Sequence, residues 1–73
     1  MSIILKEHQE RVSHAVSAYR SEIADIEAHI RLRAMSADIS DAELALLRRL
    51  KDEKAEILYR YENLKEAFRA LLP

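Results

Sequence analysis

Met35-Ser36-Ala37-Asp38-Ile39-Ser40-Asp41-Ala42-Glu43-Leu44 is the stretch that decides whether this chain is one continuous helix or two. Its surroundings offer no help. Glycine is absent, the single proline is the last residue, Pro73, and no interior position carries either of the two strongest helix breakers. Within the stretch, Ser40 and Glu43 fit a capping box with Ser40 as N-cap, and Ile39 and Leu44 then fall at the two positions of a hydrophobic staple. Asp41 and Glu43 also suit the positive end of a helix dipole. Two signatures thus agree on one helix start. The expected fold is all-α: a single domain over 1–73, built as an antiparallel two-helix coiled-coil hairpin. Helix one is expected over about 3–36, the turn over about 36–40 and helix two over about 41–72.

Working outward, Leu5, Val12, Val16, Tyr19, Ile23, Ile26 and Ile30 are separated by gaps of seven and then alternately four and three, which is a heptad seam ending in Arg33. Beyond the turn, Leu47, Leu50, Ile57, Tyr61, Leu64, Phe68 and Leu71 keep the alternation, interrupted by Lys54. Leu44, Leu58 and Leu72 add an adjoining column, making the stripe wider than a two-stranded seam requires. Antiparallel packing about a turn near Asp38 sets Ile30 near Leu47, Ile23 near Lys54, Val16 near Tyr61 and Leu5 near Leu71 or Leu72. Lys54 is then expected to pack its stem in the seam and reach Glu22 or Asp25 with its ammonium. A hairpin of this shape buries one side of each stripe, too little to offset the ordering of the chain. Two copies are therefore expected to form a homodimeric four-helix bundle, with Leu44, Leu58, Leu72, Tyr61 and Phe68 as the self-association residues.

Composition narrows the function classes. With 73 residues and no cysteine, neither disulfides nor cysteine-ligated zinc can staple a small core. Twelve basic and thirteen acidic residues give a net charge of −1, and with one Phe and three Tyr there is little for backbone neutralisation or base stacking. Nucleic acid is accordingly disfavoured as a partner. The start, Met1-Ser2-Ile3-Ile4-Leu5-Lys6-Glu7, reads as neither a signal peptide nor a membrane span, so a cytoplasmic protein with no membrane partner is the expectation. His8, His14 and His29 show no metal-ligand spacing, the serines have no histidine and carboxylate arrangement, and glycine-dependent phosphate loops are impossible. No catalytic, cofactor-binding or metal-binding residue is expected.

Leu32, Met35 and Leu46 lie off the seam or at its edge near the turn, and Tyr59 sits in the outer face of helix two. These four are the candidate contacts for an unidentified protein partner. The expected function is a small non-catalytic protein-binding module of adaptor, chaperone or inhibitor type. The alternative is a regulator of the transcription or RNA machinery, using an acidic hairpin tip at Asp38 and Asp41 or a basic patch of Arg31, Arg33, Arg48 and Arg49. Asp38, Asp41, Glu43, Asp52 and Glu53 lie among those cations, which favours a mixed solvated face over an anion site.

The tip Asp38-Ile39-Ser40-Asp41-Ala42-Glu43 resembles, over six residues, the acidic coiled-coil tip of Gre-type transcription factors. Those factors enter the secondary channel of RNA polymerase and use paired acidic residues at the tip. The resemblance implies that role for Asp38 and Asp41. A capping box accounts for the same residues.

Overall fold

The computed structural model describes residues 2–36 and 38–71. It is all-helical, with α1 over Ile3–Ala34 and α2 over Asp41–Leu71 packed against each other as a hairpin. The helix starting at Asp41 falls where the capping box placed it, whereas α1 ends two residues before the expected boundary at Ser36. Met35 holds φ −81° and ψ −11°, and its N–H donates to the Arg31 carbonyl at 3.3 Å. The N–H of Ser36 donates to the Arg33 carbonyl at 3.0 Å. Without glycine, α1 closes by tightening its last turn rather than by a left-handed cap, and no described residue has positive φ. Arg31 and Arg33 in that turn suit its negative dipole end.

Two serines organise the connection. The hydroxyl of Ser36 accepts the N–H of Asp38 at 3.2 Å, and that of Ser40 accepts the N–H of Glu43 at 3.0 Å. The second contact is the forward arm of the expected capping box. Its return arm is replaced: the Glu43 carboxylate turns across the hairpin to Arg33, accepting from Nε at 3.0 Å and from Nη2 at 2.9 Å. The two helix ends are thereby clamped beside the turn by a bidentate pair.

The hairpin measures 56 × 16 × 14 Å, with a radius of gyration of 16.5 Å. A compact domain of this length would have a radius near about 11 Å. Such a rod has little interior, and among the described residues only Val12 and Val16 are buried, Val16 completely. Of the expected seam, Tyr19, Ile23, Ile26, Ile30, Leu47, Ile57, Tyr61 and Phe68 are half-buried, as is Leu58 beside it, whereas Leu5, Leu50, Leu64 and Leu71 are exposed.

Candidate interaction surfaces

The register of the hairpin fixes which side chains each face presents. Among the described residues three ion pairs cross between the helices: Arg33 with Glu43, Lys54 with Glu22 at 3.0 Å, and Arg20 with Glu62 at 3.7 Å. Midway, the rings of Tyr19 and Tyr61 stack with centroids 5.7 Å apart and planes 22° from parallel. Lys54 completes this cluster, its ammonium 5.6 Å from the Tyr19 centroid as well as bonded to Glu22. The expected lysine-to-carboxylate contact is present, through Glu22. Tyr61 has its stacking partner one turn along from Val16, so the expected register holds to within a turn.

The clamp at the turn shifts charge equilibria. The hydrogen bonds from Arg33 hold the Glu43 carboxyl below the usual glutamate range, with smaller help from the charges of Arg33 and His29 against partial burial. Glu43 in turn raises Arg33, first through the hydrogen bond and then through its charge. Of the four arginines in the basic cluster, Arg33 is held by Glu43 and Arg49 by Glu53 at 3.3 Å. Arg31 and Arg48 have no ion pair among the described residues, and neither do Asp38 and Asp41, which are exposed at the tip.

Leu32, Met35 and Leu46 come to one end of the rod, and each is at least about two-thirds exposed, Met35 reaching 86%. They do not form one face. Leu32 follows the seam residue Ile30 by two positions, which turns it to the far side of α1, whereas Leu46 neighbours the seam residue Leu47 on α2. Tyr59 is exposed on the outer side of α2, away from the other three. Among the proposed self-association residues, Leu44, Leu58, Tyr61 and Phe68 are half-buried within the single hairpin, and Leu72 lies outside the described residues.

A second apolar row on α2 is more open than that column. Leu50, Ile57, Leu64 and Leu71 follow one another at intervals of seven, and Leu58 stands about 100° round the helix from Ile57. Leu50 and Leu64 are 40% and 45% exposed, and Leu71 more so. An open depression of about 290 Å³ lined by Ile57, Arg60, Tyr61 and Leu64 lies on this row. The heptad pattern contained these residues, but it assigned them all to the interhelical seam.

Among the described residues, no group of three His, Cys, Asp or Glu side chains is placed to hold a metal, and no helix is long and apolar enough to cross a membrane. No protein-family model, curated protein or solved structure matches the chain.

Proposed function

We propose that this chain is a small non-catalytic protein-binding module of adaptor, chaperone or inhibitor type, which lays an amphipathic helical hairpin against other helices, a second copy of itself among them. One observation carries this reading: among the described residues two apolar side chains are buried in the hairpin, while ten large ones, from Ile3 to Leu71, are exposed. Where such residues line up, as Leu50, Leu64 and Leu71 do along α2, an apolar row of this kind marks an interaction surface. Self-association into an antiparallel four-helix bundle would cover the long stripe of α2. The turn end would remain outside, with Leu32 and Met35 free to meet another protein.

The alternative in the transcription machinery keeps one observation in its favour, the exposed and unpaired carboxylates of Asp38 and Asp41 at the tip. One comparison separates the two. Against the partner recovered by affinity purification, Leu32→Ser with Met35→Ser should abolish binding while helicity stays intact. Asp38→Asn with Asp41→Asn should leave binding nearly unchanged, since solvated carboxylates add little to an apolar contact. The opposite ranking would overturn the adaptor reading in favour of the acidic tip.

A further inference from the structure

The more open row of α2, in which Leu50, Leu64 and Leu71 are exposed and Ile57 is half-buried, has a companion. Counting back four residues from Leu50, Ile57, Leu64 and Leu71 gives Leu46, Glu53, Arg60 and Ala67. The two rows together repeat with alternating spacings of four and three, the pattern of a second helix-packing seam beside the one that meets α1. Its middle is charged, yet the charges are opposite and lie on either side of Ile57, within a residue of symmetric placement. Glu53 lies four residues before it and Arg60 three after.

That spacing has a consequence under two-fold symmetry. In an isologous antiparallel contact, residues equidistant from the axis on opposite sides meet each other. With the axis near Ile57, Leu50 of one copy lies beside Leu64 of the other, Ile57 meets its own equivalent, and Glu53 of each copy lies beside Arg60 of the other. In a parallel pairing, Glu53 would face Glu53 and Arg60 would face Arg60. The charge pattern therefore makes the face complementary to itself, and favours the antiparallel over the parallel direction.

The area agrees. The hairpin exposes 5669 Å². A compact monomer of this mass exposes about 4,700 Å², leaving an excess of about 1,000 Å² per chain. A standard interface covers about 800 Å² per partner. At the margin of the contact Lys54 is already held by Glu22. Within one copy Glu53 pairs with Arg49 and Arg60 with Glu56, at exposed sites one turn apart along the helix. Such pairs are weak and easily exchanged.

We propose that this face of α2 is the interface to a second copy of the chain, docked antiparallel about a two-fold axis near Ile57, with Glu53 of each copy paired to Arg60 of the other. The proposal rests on the self-association reading above and gives it a surface, a direction and a register. It also places Leu46 at the end of the interface, opposite Ala67, so that Leu32 and Met35 are what the dimer leaves outward at the turn.

Charge exchange tests it, read as the dimer dissociation constant by sedimentation equilibrium with helicity followed in parallel. Glu53→Arg and Arg60→Glu should each weaken the dimer by about tenfold or more, by setting like charges across the axis. The double variant should recover affinity close to that of the unsubstituted chain. A purely local effect on the helix predicts the reverse. The double variant would then combine two like-charged neighbours, position 53 beside Arg49 and position 60 beside Glu56, and be the worst of the three. A dimer whose affinity ignores both single substitutions, or whose double variant is no better than the singles, overturns the register while leaving self-association standing. An unsubstituted chain that is monomeric overturns both.

Discussion

Ser40 and Glu43 are three residues apart, and together they tie the local start of α2 to the closure of the hairpin. Ser40 caps α2 through a 3.0 Å bond from the Glu43 N–H, so Ser40→Ala should cost about 1 kcal/mol in chemical denaturation. Ser36→Ala should cost less, because its hydroxyl accepts a single exposed turn N–H and starts no helix. A larger loss at Ser36 would put the nucleus of the turn on the wrong serine. The Glu43 side chain gives the turn a pH dependence. Its carboxyl is depressed in the folded state by Arg33, so the stabilisation is present above the ordinary glutamate value of the unfolded chain and is lost as pH falls through the lower folded value. Glu43→Gln should flatten that acid limb relative to the parent chain when helicity is followed down the pH scale. An identical acid limb in both proteins would contradict it. The cap was legible in the sequence, since Ser-x-x-Glu is a local pattern. The clamp was not, because Arg33 and Glu43 meet only once the register of two helices is set, ten residues apart.

At the scale of the helices, the heptad spacing of α1 located its buried side, with Val12 and Val16 at the centre. For α2 the same spacing was ambiguous. An apolar stripe wide enough for two neighbours does not say which edge meets which. In the structure Leu58 is half-buried in the hairpin while Leu50 and Leu64 retain 40% and 45% of their surface. Substitutions on the two edges should therefore separate. Leu58→Asp should unfold the hairpin itself, because it carries a charge into the half-buried seam. Leu64→Asp should leave helicity measurable at high protein concentration while raising the dimer dissociation constant. If Leu58→Asp gave a folded monomer and Leu64→Asp a normal dimer, the assignment of the two edges would be reversed. Val16→Ala is expected to cost about 2 kcal/mol, the ordinary loss for opening a small cavity at a fully buried position.

For the whole molecule, a rod 56 Å long in which two valines are buried among the described residues has few of the contacts that hold an isolated domain of this size. The sequence foretold that deficit from length, the absence of cysteine and the paired stripes. It could not show how far the apolar residues at the turn end stay open, since that depends on where α1 stops and how α2 leaves the turn. Leu32 and Leu46 illustrate it: both were evident as residues the seam does not use, and the folded hairpin leaves each about two-thirds exposed. If dimerisation supplies the missing burial, folding and association are one equilibrium, and the thermal midpoint should rise with protein concentration. The most direct test is sedimentation equilibrium of the unsubstituted chain at micromolar concentration. The predicted result is a species of twice the 8.5 kDa chain mass that loses helicity as it dissociates on dilution. A fully helical monomer that stays folded on dilution would contradict it, showing that the hairpin stands alone without covering its apolar face.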